Sequence, residues 1–416
     1  MKYDFTSIID RHGMDAIAVD LPDKTDGFAP SKPKEGFDQI PMWVADMNFP
    51  TVPSVIRAIT DRAQHPMFGY FSPRKEYFDA VINWQEERNG VKGLTAECIG
   101  YENGVLGGVV SALEAFTAPG DKVLVHSPTY IGFEGSVANC GRALVHSSLI
   151  PDDRGVLRMN YKDMEEKIQK HRIHTAIFCS PHNPCGRVWE RWEIEEAMEI
   201  YRRNDVIVIS DEIWSDIILD GYRHIPTQSV SEDARNRTIA MYAPSKTFNL
   251  AGLVGSYHII YNSLLRDRVR ACGSKSHYNS MNLLSMYALI GAYTQEGHEW
   301  VDELCAVITE NVDYACNFIE HNLKGVRTTR PQGTYMLYLD CTEYCKRHGK
   351  TVDDLLAAAW DVGVDYQDGR PFQKENTIRM NLALPMERIQ EAMRRLKRYV
   401  FIDSCSEHAG EETGGR

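Results

Sequence analysis

Positive charge is in short supply: 46 Lys and Arg stand against 58 Asp and Glu, a net charge of -12 over 416 residues. Binding a phosphate backbone requires a clustered cationic surplus, so this balance points away from nucleic acid and toward a small-molecule ligand. Long apolar runs are also missing. Nothing approaches the roughly 18 consecutive apolar residues that a membrane span needs, and Met1-Lys2-Tyr3-Asp4-Phe5 leads into polar residues rather than the apolar region of a secretory signal. No membrane association and a cytoplasmic location are expected. The 10 cysteines include no CxxC pair and no His/Cys spacing suited to zinc, which predicts reduced thiols, no disulfide framework and no metal. Gly104-Val105-Leu106-Gly107-Gly108 is neither a GxGxxG fingerprint nor a Walker A loop, and there is no internal repeat.

What is present is a globular composition, 43% hydrophobic and 25% charged, on a chain long enough for two structural units. Short β-rich runs alternate with helical patterns through the middle of the chain, the signature of βα units around a mostly parallel sheet. The runs are Lys122–His126, Ala143–Ser147, Thr175–Ser180, Val206–Ser210, Thr238–Ala243 and Ser256–Ile260, with helices expected at Leu106–Ala118, Tyr161–His171 and Trp192–Asn204. Beyond Ser280 the pattern becomes long and helical to Asn322. It then alternates through Tyr335–Asp340, Val352–Asp361, Thr377–Leu382 and Met386–Tyr399. The fold class expected is α/β, a large domain over 51–285 and a smaller α+β domain over 286–402. Residues 1–50, rich in Pro, Gly and Asp, are expected to wrap over the active site and join the small domain, and 403–416 to be a disordered tail.

Five features recur at the ends of the expected strands. Lys246 follows one in Ala243-Pro244-Ser245-Lys246-Thr247, where open α/β sheets bind ligands, although a lysine after a strand is more often solvated. Asp211 closes the apolar run Val206–Ser210 and can either face a cationic ring or cap a following helix. Asn183 stands between prolines in Ser180-Pro181-His182-Asn183-Pro184, a rigid turn that also suits a fixed hydrogen bond. Asn103-Gly104-Val105-Leu106 precedes a helix expected to be under way by Gly107, so its free N–H groups suit a phosphate as well as an ordinary helix start. Tyr130 can stack on a flat ring or simply fill core. Taken together, these residues supply what pyridoxal 5′-phosphate asks of a protein: an amine for its aldehyde, an acid for its ring nitrogen, a phosphate cradle and a face.

The same residues make the chain resemble a fold-type I pyridoxal-phosphate enzyme of the class I/II aminotransferase superfamily. Pro41-Met42-Trp43-Val44-Ala45-Asp46-Met47-Asn48-Phe49, Phe68-Gly69-Tyr70 and Ser245-Lys246-Thr247-Phe248-Asn249-Leu250-Ala251-Gly252-Leu253 are similar to the MalY/PatB branch of carbon–sulfur β-lyases. That resemblance implies Lys246 as cofactor anchor and proton carrier, Asp211 as pyridinium partner and Asn183 as donor to the ring oxygen. It further implies Tyr130 as stacking ring, Val105, Leu106 and Ser245 as phosphate contacts, and Trp214 beside the ring. Arg379, with Asn183 and Ala45, would meet the substrate, and Tyr70 would reach the phosphate from the partner subunit of a homodimer. Four positions depart from common patterns: Ala243 for a phosphate-binding Ser, Val254 for Arg, Trp214 for Tyr or His, and Asn48 for Asp.

The activity implied is cleavage of cystathionine, cysteine or a cysteine S-conjugate to a thiol, pyruvate and ammonia. An aminotransferase would use the same Lys246, Asp211 and Arg379, and a non-catalytic ligand-sensing role is a third reading.

Overall fold

All six β-rich runs between residues 122 and 260 form strands in the computed structural model, which describes residues 1–21, 29–275 and 280–402. They join a seventh strand in one sheet of order Ile99–Asn103, Gly255–Ile259, Thr238–Tyr242, Ile207–Asp211, Thr175–Cys179, Lys122–Ser127, Ala143–Ser148. Every pairing is parallel except the two made by Gly255–Ile259. The central strands Thr175–Cys179 and Thr238–Tyr242 are buried at every position, as a sheet covered by helices on both faces requires. Side chains alternate between the two apolar layers. Val123, Val125, Ile177 and Ile209 face the helix Gly104–Phe116, whereas Leu124, Phe178 and Val208 face Tyr161–His171 and Arg191–Arg203.

The strand Ile99–Asn103 is absent from the sequence expectation. Its sequence, Ile-Gly-Tyr-Glu-Asn, has too few β-branched residues to stand out, and it is held by antiparallel pairing with Gly255–Ile259. It delivers the chain directly into the helix Gly104–Phe116.

The second sheet is small and antiparallel: Arg327–Thr328, Met336–Asp340, Thr377–Asn381 and Gln367–Asp368. The 28-residue helix Gln295–Asn322 packs beside it, and its Asn311 donates to the carbonyls of Leu382 and Leu384, both at 2.9 Å. The amino-terminal segment touches both units, the larger one through the Met47 N–H, which donates to Asn249 Oδ1 at 3.0 Å. Ile40–Pro41 pairs in parallel with Val364–Asp365, and Phe5 lies between Phe49 and Trp300 at ring distances of 5.2 and 5.4 Å. Residues 403–416, expected as a tail, lie outside the described residues. No helix among the described residues is long and apolar enough to cross a membrane.

Two buried histidines sit beneath the sheet's carboxyl edge. His126 accepts from or donates to the Tyr201 hydroxyl at 3.4 Å, His182 approaches the His126 carbonyl at 3.4 Å, and neither Nδ1 has a partner. Burial pushes His126 down to about 4 and His182 down to about 3, so both are neutral in the folded protein. A base whose folded pKa lies below its unfolded value stabilises the fold only above the unfolded value, near 6.5. The unfolding free energy is therefore expected to fall as pH drops from 6.5 toward 4, by up to about 1.4 kcal/mol per pH unit for each histidine. Urea titrations at several pH values check this: His126→Leu should show a shallower decline than the parent over the same window.

Candidate active site

Parallel strands share a carboxyl end, so residues just past those ends converge even when they are far apart in the chain. Asp211 ends its strand, Asn183 follows Thr175–Cys179, Tyr130 follows Lys122–Ser127, and Lys246 lies in the turn of helix Pro244–Thr247 after Thr238–Tyr242. With Ala45, Val105, Leu106, Trp214 and Ser245 they line one cavity of about 200 Å³. Nine of the eleven residues expected at the site share this wall. Arg379 stands just behind it, with Nη1 donating to Asn183 Oδ1 at 3.3 Å. Tyr70 is not there. It is fully exposed and lines a separate groove of about 850 Å³ with Phe68 and Phe71.

Asp211 is buried and caps no helix. A turn follows its strand, and Oδ1 accepts from the Ile213 N–H at 3.1 Å. Burial pushes its carboxyl up to about 6, against the pull of that N–H and of Lys246. Lys246 Nζ donates to the Ala45 carbonyl at 2.8 Å and stands 5.8 Å from the centre of the Trp214 ring. Burial, aided by the positive charge of Arg379, brings its amine down to about 8. An acid held partly protonated and a lysine held partly neutral in one cavity are the environment of reacting groups.

The helix whose amino end was expected to suit a phosphate begins earlier than expected. The helix starts at Gly104, two residues before the expected Leu106, because Gly104 adopts a left-handed φ of 74° and its N–H is taken by the Val254 carbonyl at 2.9 Å. Val105 and Leu106 thus occupy the first turn, where N–H groups have no carbonyl one turn earlier to accept from them. Tyr130 is set by close packing: a Cβ on Gly132 would lie 2.5 Å from the Tyr130 ring and 2.8 Å from Leu106. Trp214 packs edge-on against Tyr335, ring centroids 4.6 Å apart.

Arg379 lies in the strand Thr377–Asn381, and its acceptors are all neutral: Asn183, the Trp43 carbonyl at 3.0 Å and Gln367 Oε1 at 2.5 Å. Its buried Nε has no partner. Sequence reasoning missed the groups that hold the wall in place. Asp216 accepts from Thr247, next to Lys246, at 2.8 Å and from Trp84 at 3.1 Å. Glu212 accepts from Tyr242, His224, Ser210 and the Thr227 N–H at 2.7 to 3.1 Å. The only sequence signal for either was a carboxylate set among apolar residues.

A mostly parallel sheet with a lysine, a buried carboxylate and a helix amino end at its carboxyl edge is the fold-type I arrangement of pyridoxal-phosphate enzymes. The family model for aminotransferase class I and II matches residues 38–396, and the chain belongs to that family. Within it the chain is 34% identical to cystathionine beta-lyase PatB of Bacillus subtilis (strain 168), over 86% of this chain and 92% of the relative. Cystalysin of Treponema denticola, whose structure contains a pyridoxal 5′-phosphate cofactor, superposes with a TM-score of 0.87 at 29% identity, covering 95% of this chain and 98% of that one. The pyridoxal-phosphate-bound C–S lyase of Staphylococcus hominis gives 0.86 at 29% identity, covering 97% and 99%.

The residues in this chain fit that cofactor. Asp211 is a desolvated carboxylate whose charge calls for a cation, Val105 and Leu106 turn first-turn N–H groups toward an anion, and Arg379 keeps an unpartnered donor for a carboxylate. The Asp211 carboxyl has a folded pKa above its unfolded 3.8, so without a compensating cation its charge destabilises the fold as pH rises through 3.8 to 6. Above pH 6 the penalty is complete, up to about 3 kcal/mol. Ligand-free Asp211→Asn is therefore expected to melt at a higher temperature than the ligand-free parent at pH 8, and at nearly the same temperature at pH 4. Calorimetry at the two pH values reads the difference.

Proposed function

We propose that this protein is a pyridoxal-phosphate-dependent carbon–sulfur β-lyase, acting on cystathionine or a related cysteine S-conjugate. The observation that carries the reading is Lys246, its amine brought down to about 8, in one cavity with buried Asp211 and within the field of Arg379. The relatives, a cystathionine beta-lyase and a C–S lyase among them, favour elimination over amino transfer.

When bound, pyridoxal 5′-phosphate supplies a protonated ring that withdraws the electron pair left at the substrate's α-carbon. Asp211, a desolvated carboxylate, would keep that ring nitrogen protonated. Tyr130 and the first turn of Gly104–Phe116 would hold the ring face and the phosphate, and Asn183 would donate to the ring oxygen. Arg379 receives the α-carboxylate through its free Nε, a charge-assisted contact that fixes which bond at the α-carbon stands ready to break. Lys246 Nζ would anchor the cofactor and accept the α-proton, a task suited to an amine that is neutral in good part near pH 8. The sulfur departs from the β-carbon as a thiolate. Overall, substrate and water give a thiol, pyruvate and ammonia.

Purified protein with the cofactor and cystathionine is expected to release pyruvate and a free thiol with no 2-oxo acid added. Lys246→Ala should lose this activity by at least about a thousandfold, along with the visible absorbance of the bound cofactor. Product that forms only when a 2-oxo acid is supplied would sink the lyase reading.

A homodimer is part of this proposal. Met67, Phe68 and Tyr70 expose an apolar surface beside the groove, which a second copy would cover, placing Tyr70 on the partner's phosphate. Tyr70→Phe should leave the sedimentation coefficient at the dimer value and weaken cofactor retention about tenfold, the loss of one hydrogen bond to a charged group. The amino-terminal segment serves as the cover of the substrate side, with the domain limits at 51–285 and 286–402. Nine described cysteines, all unpaired, accord with a reducing cytoplasmic location.

A further inference from the structure

Under the lyase reading, on which this inference rests, the C–H bond at the α-carbon breaks, its electron pair stays on that carbon, and the proton bonds to Lys246 Nζ, which becomes an ammonium. Among the described residues Lys246 makes one hydrogen bond, to the Ala45 carbonyl at 2.8 Å, and no ion pair. An ammonium carries several donors, and this acceptor is already shared with the Tyr335 hydroxyl at 3.1 Å. Asp46 and Asp211 favour the cation only through their field. Asp46 is committed to Arg11, and Asp211 would face the cationic ring of the cofactor, so neither is at liberty to meet a second charge.

What does face the amine is an aromatic ring. Lys246 Nζ stands over the Trp214 ring, 5.8 Å from its centre, inside the roughly 6 Å over which a ring's negative face attracts a cation. Trp214 is 2% exposed and lines the same cavity as Lys246, and a pair kept from water in this way attracts more strongly than an exposed one. The ring is also fixed. Tyr335 packs edge-on against it, ring centroids 4.6 Å apart and planes at 76°, and the Tyr335 hydroxyl is tied to the same Ala45 carbonyl that takes Lys246. Ring face and carbonyl thus form one assembly around Nζ. Common family patterns place Tyr or His at position 214. An indole offers a cation a stronger face than a phenol does, and unlike an imidazole it never carries a charge of its own.

We propose that Trp214 is the neutral acceptor of the Lys246 ammonium, its ring face stabilising, together with the Ala45 carbonyl, the protonated lysine formed when the α-proton is removed. A neutral acceptor suits the step because the proton has to be held and later given up. A carboxylate in direct contact would fix Lys246 as an ammonium and stop it acting as a base, whereas a bare aliphatic wall would leave the cation unsupported. The indole lies between these limits. Tyr335 is a positioning residue that acts through Trp214 and Ala45.

Trp214→Leu would remove the face but also admit water, which by itself raises an amine's pKa. The decisive variant therefore keeps the shape and drains the ring of electron density: a tetrafluorinated tryptophan placed at position 214. In cofactor-free protein the rate at which Lys246 captures added pyridoxal, followed by visible absorbance, depends on the neutral amine, and its inflection is expected at about 8 in the parent. With the fluorinated ring the inflection should fall by about half to one pH unit, the amine losing roughly threefold to tenfold of its proton affinity. In the cofactor-loaded enzyme kcat for cystathionine should fall about threefold with KM within about twofold of the parent. An inflection that moves upward, or downward by less than about a third of a unit, overturns the proposal, because packing alone is indifferent to the ring's charge distribution. A lowered inflection with kcat unchanged overturns it too, since the ring would then act on the resting amine alone. Failure of the lyase reading shows separately, as a parent enzyme that frees no pyruvate from cystathionine whatever the capture experiment gives.

Discussion

A carboxylate at the end of a buried strand is costly unless something positive meets it, and the site is organised around that cost. Asp211 is placed by the register of Ile207–Asp211, whose neighbours on both sides are parallel and buried. It has one backbone donor and a neighbouring Glu212 whose charge opposes its own ionisation. Lys246 relieves it from across the cavity, and Lys246 is itself disfavoured as a cation by burial and by Arg379. Neither group is comfortable in the ligand-free cavity. A bound molecule with a cationic ring and an aldehyde satisfies the acid and uses the amine, which is why binding and catalysis draw on the same discomfort.

Holding these groups together is a problem of long-range connection. Asn249, three residues past Lys246, donates through Nδ2 to the Met47 carbonyl at 2.9 Å and accepts the Met47 N–H on Oδ1 at 3.0 Å. Asn381, two residues past Arg379, clasps the carbonyls of Val44 and Asp46. The segment 43–49 is thereby pinned from the Lys246 turn on one side and from the Arg379 strand on the other. Two of the three sequence motifs that carry the family resemblance, Pro41–Phe49 and Ser245–Leu253, are a single hydrogen-bonded assembly, so a change in one is felt by the other.

How much of this was legible from sequence depends on how local the cause was. The six strands between residues 122 and 260 were visible because apolar β-branched runs bounded by turn residues need no partner to be recognised. Ile99–Asn103 was invisible because its cause is the antiparallel neighbour. The helix start was misplaced by two residues, since a left-handed Gly104 bonded to the Val254 carbonyl cannot be inferred from either stretch alone. Lys246, Asp211, Asn183 and Tyr130 were legible as a set, through their shared position after strands. Arg379 entered only through the family resemblance. Asp216 and Glu212 escaped altogether, because their partners, Thr247 with Trp84 and Tyr242 with His224, come from distant parts of the chain.

The departures from common family patterns now have a local meaning. Val254 replaces a familiar arginine, and its side chain is half exposed while its backbone, at a left-handed φ of 56°, presents the carbonyl that holds Gly104. Position 254 therefore fixes the start of the helix Gly104–Phe116 through backbone geometry and brings no charge there. Ala243 is buried at the head of the short helix bearing Lys246 and offers no hydroxyl. Under the proposed function the anion would then be met by first-turn N–H groups, the helix dipole and Ser245, all neutral. A cradle of this kind discriminates by shape more than by charge, and its strength is not screened away by salt as a surface cation's would be. It would also make each remaining donor matter more, so on the proposed function the first turn of Gly104–Phe116, set by a single left-handed glycine, would carry an unusual share of the anion's binding.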